Sequence, residues 1–141
     1  MKAENRVINE LLTRLDVHPV LIDIGSAGGA PKIWNAIASR STYVGFDPGA
    51  AQTTDLTEGF FHKTIVVNEA VTAEKGMDRA SFYVTQSPSC SSTLRPDDAS
   101  LSQYFFADLF SVQREEAVSA TQLDSVLDRF SLSRVDWFKT D

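Results

Sequence analysis

Only one cysteine stands among the 141 residues, so no internal disulfide is available to this chain. That residue, Cys90, lies among serines with no histidine partner in sight, which argues against a thiol nucleophile. Histidines are as scarce: His18 and His62 lack the spacing of a metal pair, and no cluster of Cys, His or carboxylates resembles a ligand set, so no metal is expected. Positive charge is in the minority, with 13 Lys and Arg against 19 Asp and Glu for a net charge of -6. A duplex-binding protein needs a basic face to neutralise phosphates, so nucleic acid is not an expected partner and a small-molecule site fits better. Neither a signal-peptide core nor an apolar run of about 20 residues occurs, so no membrane partner is expected and the expected location is cytoplasmic.

What the chain does have is 43% hydrophobic and 23% charged residues, enough for one domain with a real core. Residues 1–19 read as a leading helix, with Val7, Ile8, Leu11, Leu12 and Leu15 at helical spacing and a sheet face to cover. Residues 20–141 form the rest of that single domain. After Pro19 the branched run Val20-Leu21-Ile22-Asp23-Ile24 predicts a buried strand, Gly25-Ser26-Ala27-Gly28-Gly29 a tight turn, and Pro31 a helix start with Ile33, Trp34 and Ile37 as its apolar stripe. Two further strands are predicted at Thr42–Phe46 and Thr64–Val67, giving the alternation of a parallel sheet.

The middle of the chain reads differently. Ser81–Val84 is a strand candidate followed by a serine-rich loop from Gln86 to Thr93, which suggests a hairpin or excursion. Asp97 to Phe110 predicts a helix with acidic residues near its start, carrying Tyr104, Phe105, Phe106 and Phe110 as core or lid. A short strand at Val112–Val118, a helix from Thr121-Gln122-Leu123-Asp124 through Phe130, and a strand from Val135 complete the order.

Chemistry concentrates in Asp23-x-Gly25-x-x-x-Gly29, placed between a strand and a helix. Glycines there permit a sharp turn and close approach of backbone to a ligand. A dinucleotide-binding oxidoreductase needs G-x-G-x-x-G to seat a pyrophosphate on the helix N-terminus, and Ala27 occupies the second glycine position. An adenosyl-methionine ligand has no phosphate and tolerates that spacing. Asp47 ends the second strand roughly 20 residues on, where an acid accepts hydrogen bonds from ribose hydroxyls in such folds. The bland alternatives are a plain glycine turn and an Asp-Pro-Gly turn capped by its own aspartate.

Taken in order, Leu21–Gly29, Val44–Pro48, Asn68–Val71, the serine run before Leu94, Gln122–Asp124 and Val135–Asp141 resemble the FkbM family of class I methyltransferases. Asp47 stands where that family has glutamate, a shorter side chain that still accepts from ribose, and Ser26-Ala27 stand where it has Ala-Asn. The resemblance implies an α/β fold, a Rossmann-like sandwich with a mostly parallel sheet whose order begins 3-2-1-4, truncated after its fourth core strand. It further implies S-adenosyl-L-methionine as cofactor, held by Asp23, Gly25, Ser26, Gly29 and Asp47, with Asn68, Glu69 and Ala70 against adenine and Asp141 at the end of the fourth strand. Lys139 and Asp141 share one strand face, as site groups or as members of a structural ion pair. The implied activity is O-methylation of a small-molecule or carbohydrate-like acceptor, with no catalytic base identified and with the chain as it stands inactive by itself. Rival readings are a nicotinamide-dependent oxidoreductase and a non-catalytic nucleoside- or partner-binding domain. An apolar strand edge at Val135–Thr140 predicts a homodimer through that strand.

Overall fold

Branched and aromatic residues in short runs make strands, and the computed structural model, which describes residues 3–49 and 59–140, shows four of them in one parallel sheet. Strand β1 is Val20–Ile24, β2 is Thr42–Phe46, β3 is Lys63–Val67, and the last strand of the chain, Trp137–Thr140, joins them to give the order β3-β2-β1 followed by that last strand. All three pairings are parallel, with Leu21 beside both Tyr43 and Trp137, and Asp23 beside both Gly45 and Lys139. The expected beginning, 3-2-1-4, is the observed order. Every residue of β2 is buried, as a central strand with both faces covered demands.

The described residues fall into two compact units, one made of the chain up to Asn68 together with Asp124 onward, the other of Glu69–Leu123. In the first unit, the apolar core on one sheet face is built from Leu21, Trp34, Ala38, Tyr43 and Phe61, with Ala30 and Ile37 packed beside it. Tyr43 stacks on Phe61 at 4.8 Å between ring centroids and meets Trp34 edge-on at 6.0 Å. Such aromatic pairs add about 0.5–1.5 kcal/mol each beyond the area they bury.

The segment after the glycine turn departs from expectation. It is not an α-helix but two 3-10 turns, Lys32–Ala36 and Ala38–Arg40. Three residues per turn put Trp34 and Ile37 on one face and turn Ile33 outward, 67% exposed. Burial of Trp34 and Ala38 against the strands outweighs the weak helix preference of a stretch containing Asn35 and Ser39. The leading helix α1, Ala3–Arg14, forms as expected but does not cover a sheet face. Those 3-10 turns already occupy it, and α1 attaches to them from outside through Asn9, whose amide donates to the Ala36 carbonyl at 2.6 Å and accepts from the Ser39 hydroxyl at 3.2 Å. Its apolar residues Val7, Ile8 and Leu11, and Leu15 just past its end, remain between 42 and 69% exposed.

The second unit holds β4 (Ala70–Val71), β5 (Arg79–Thr85) and β6 (Val112–Thr121) in the order β4-β6-β5. Strands β5 and β6 are antiparallel with a bulge at Val84/Thr85, so the excursion predicted from the serine-rich middle is a hairpin whose connection is long. Strand β6 runs three residues past the expected end at Val118 because Ser119 pairs with Arg79, and Ala120 and Thr121 pair with β4. The predicted helix over 97–110 is interrupted: α2 covers only Asp98–Leu101, N-capped by the Asp97 carboxylate, and a 3-10 turn covers Ala107–Phe110. Hydrogen bonds from Ser100 hold that Asp97 carboxyl below its ordinary pKa. The helix predicted after Thr121 is α3, Leu123–Arg129, with Val126 fully buried, and the last strand becomes β7.

Candidate functional site

Open parallel sheets collect ligands at the carboxyl ends of their strands. At those ends, the chain leaving β1 turns on Gly25 with φ of 85° and on Gly29 with φ of 80°, a left-handed conformation that L side chains resist. The amides of Gly25 and Ser26 both donate to the Phe46 carbonyl, at 2.9 and 3.1 Å, which ties the turn to the end of β2. Gly29 closes it by donating to the Ser26 carbonyl at 2.9 Å. The site residues read from the sequence at Gly25, Ser26 and Gly29 therefore form one turn, with Ser26 wholly buried beneath it and Gly25, Ala27 and Gly28 exposed above.

Asp47, half-buried, is aimed at this turn. Its Oδ2 accepts from the Ala27 amide at 3.1 Å and its Oδ1 from the Gly49 amide at 2.7 Å. The capped Asp-Pro-Gly turn and the link to the glycine loop are thus both present. Each oxygen of an ionised carboxylate has two lone pairs, so acceptor capacity remains on the exposed side. The Asp47 amide donates to the Val67 carbonyl at 3.1 Å, which brings the chain at Asn68 alongside Asp47, with the Asn68 side chain exposed. Glu69 and Ala70 belong to the other unit, where Ala70 is buried in β4 beside Ala120. Asp141 lies outside the described residues.

Asp23 does something the sequence did not specify. It is wholly buried, and its two oxygens are divided between neighbouring strands: Tyr43 Oη donates to Oδ2 at 2.9 Å and Lys139 Nζ lies 2.9 Å from Oδ1. One carboxylate so joins β2, β1 and β7. Lys139 is thus ion-paired with Asp23, a partner not foreseen from the sequence, and its ammonium also reaches the Gly25 carbonyl at 3.5 Å. Burial foremost, then the charge of Asp23 and the hydrogen bond to it, push the Tyr43 phenol far above its ordinary pKa, while a hydrogen bond with Ser26 pulls the other way. Tyr43 stays a neutral donor.

Gly45 makes this arrangement possible. A Cβ at that position would stand 2.9 Å from Tyr43 Cε1, from Tyr43 Oη and from Ser26 Oγ, so only a bare backbone lets the tyrosine lie along the strand and reach Asp23. Tyr43 and Gly45 are thus members of the site that motif reading passed over. Their signal was the alternation of β2, which sets Tyr43 and Gly45 on the same face as Leu21 and Asp23.

Elsewhere, a shallow depression of about 360 Å³ is lined by Arg6, Asn9, Glu10, Thr13 and Arg14 of α1 and includes none of these strand-end residues. Among the described residues no group of three or more His, Cys, Asp or Glu is assembled to hold a metal ion, and no helix is long and apolar enough to cross a membrane. Comparison with protein-family models, with curated proteins and with solved structures finds no match to this chain.

Proposed function

We propose that the unit carrying β1, β2, β3 and β7 is the cofactor-holding part of an S-adenosyl-L-methionine-dependent methyltransferase acting on the oxygen of a small-molecule or carbohydrate-like acceptor. The observation that carries this reading is a turn with two left-handed glycines, laid against an aspartate at the end of the adjacent parallel strand. In that reading the bound group supplies an electrophilic methyl on a sulfonium. The protein's part is chiefly to align donor and acceptor, and the acceptor hydroxyl gives up its proton to a base or to solvent as the carbon–oxygen bond forms and the carbon–sulfur bond breaks. Asp47 accepts from the ribose hydroxyls with the capacity that Ala27 and Gly49 leave unused. The exposed backbone of Gly25–Gly29 lies against the amino-acid portion. Asp23, Tyr43 and Lys139 stand behind the turn and fix its base.

Support for this reading over a dinucleotide oxidoreductase comes from the 3-10 turns. A pyrophosphate is seated by the aligned amides and dipole of a true α-helix following the glycines, and here that helix is absent. The test is calorimetric titration of the protein with S-adenosylhomocysteine. Loss of charged hydrogen bonds in Asp47→Ala should weaken binding by roughly 1.5–3 kcal/mol, about 10-fold or more. Asp47→Asn, which keeps one acceptor, should lie between. Equal affinities for all three proteins would remove Asp47 from the site and the reading with it.

A further inference from the structure

We propose that two copies of this chain associate by antiparallel pairing of their β6 strands about a two-fold axis through Glu115. The proposal is independent of the cofactor reading. Strand β6, ten residues long, is paired with β5 along one side, but on the other side β4 meets it only at Ala120 and Thr121. Among the described residues, the outer side of Gln113–Ala117 has no partner strand and all five are exposed, with the Arg79 guanidinium donating to the Ala117 carbonyl at 2.8 Å at one end. An unpaired edge of that kind is a template for another strand.

Which backbone groups face outward is fixed by the pairing. Tyr83 exchanges both of its backbone hydrogen bonds with Ser92, at 2.8 and 3.2 Å, so it turns away from β6. Its neighbour Glu115 is therefore the non-hydrogen-bonded member of the β5 pairing, and its N–H and C=O point to the open side. The far end of β6 agrees: the Ala120 amide donates to Asp78 on the β5 side, while the Thr121 carbonyl accepts from Thr72 on the β4 side. From Glu115 to Thr121, odd-numbered residues look outward. A two-fold antiparallel pair then hydrogen-bonds Glu115 to Glu115 of the partner subunit through the N–H and C=O of each.

Charge selects this register. With the axis at Glu115, Arg114 lies directly across from Glu116 of the partner subunit, twice by symmetry. Moving the axis one residue in either direction sets Arg114 against its own copy or Glu116 against its own copy. Arg114 Nε and Glu116 Oε2 are already 3.2 Å apart within one strand, so the paired edges form a closed ring of four alternating charges on one face. The opposite face carries the one unfavourable contact, Glu115 against its copy, and this makes the proposal directional.

The test uses a Cys90→Ser background, in which Glu115→Cys places two thiols at an on-axis hydrogen-bonded pair. Cα atoms there are about 5.5 Å apart, within the range a disulfide spans. Mild oxidation should give a covalent dimer from Glu115→Cys and only monomer from Trp137→Cys, the corresponding probe for pairing through β7. Sedimentation equilibrium should show about threefold tighter association for Glu115→Gln and weaker association for Arg114→Glu, with circular dichroism unchanged for both exposed substitutions. Absence of the Glu115→Cys dimer, a covalent dimer from Trp137→Cys, or a monomer at high micromolar concentration would overturn the proposal.

Discussion

Replacing Lys139 with methionine should cost the β1-β2-β7 unit about 3 kcal/mol. The substitution preserves the side-chain bulk along the strand but leaves Asp23, with none of its surface exposed and the Tyr43 hydroxyl donating to it, holding a charge without the ammonium that faced it. Breaking a buried pair from one side costs about 3–5 kcal/mol. The low end applies because the Lys139 side chain is 28% exposed and water can partly replace it. Exchanging Asp23 for asparagine in the same chain removes the stranded charge while keeping an acceptor for Tyr43. Asp23→Asn with Lys139→Met should therefore be more stable than Lys139→Met alone, with a coupling of about 2 kcal/mol. Urea denaturation followed by tryptophan fluorescence reads the right unit, because Trp34 and Trp137 lie in it, 6.2 Å apart. A loss below about 1 kcal/mol for Lys139→Met, or simple additivity of the two substitutions, would refute the three-strand role of Asp23.

Gly45→Ala should destabilise by about 1–3 kcal/mol, since its Cβ meets the Tyr43 ring and hydroxyl at 2.9 Å, and Tyr43→Phe should worsen rather than relieve the fault by removing the donor to Asp23; thermal melts decide. The raised phenol pKa has a definite sign. A proton held more tightly in the folded state contributes stability that is fully present below the unfolded tyrosine value near 10 and lost as pH rises beyond it. Stability measured from pH 8 upward should fall steeply above about pH 10 and fall less steeply in Tyr43→Phe. Trp34→Ala, which empties a fully buried site, should cost about 3–5 kcal/mol in the same denaturation assay.

The central sheet was legible because its strands are short, branched and bounded by turn residues: Val20–Ile24 and Thr42–Phe46 match their sequence readings residue for residue. The glycine turn and Asp47 were legible for a related reason, since left-handed backbone and an acid at a strand end are local requirements. What escaped was set by tertiary contact. Trp34 looked like one position of a helical stripe, and only the need to bury it with Ala38 shows why the chain coils more tightly there. The α1 stripe has helical period yet leads to no sheet face, because periodicity reports an apolar side without naming what it meets. Strand β6 passes through Arg114, Glu115 and Glu116, which carry no alternation of apolar and polar residues, so its true length depended on the pairings with Arg79 and β4. The buried carboxylate of Asp23 was read as facing a ligand, whereas Tyr43 reaches it across a glycine whose role no motif announces.

The most direct measurement of the cofactor claim is an amide chemical-shift titration of the isotope-labelled protein with S-adenosylhomocysteine. The Ala27 amide, which donates to Asp47, and the Gly49 amide on its other oxygen are built-in reporters of that carboxylate. The account predicts saturable shifts concentrated at Gly25–Gly29 and Asp47–Gly49, abolished in Asp47→Ala. No shift at millimolar ligand, or saturable shifts confined to residues elsewhere, would contradict it.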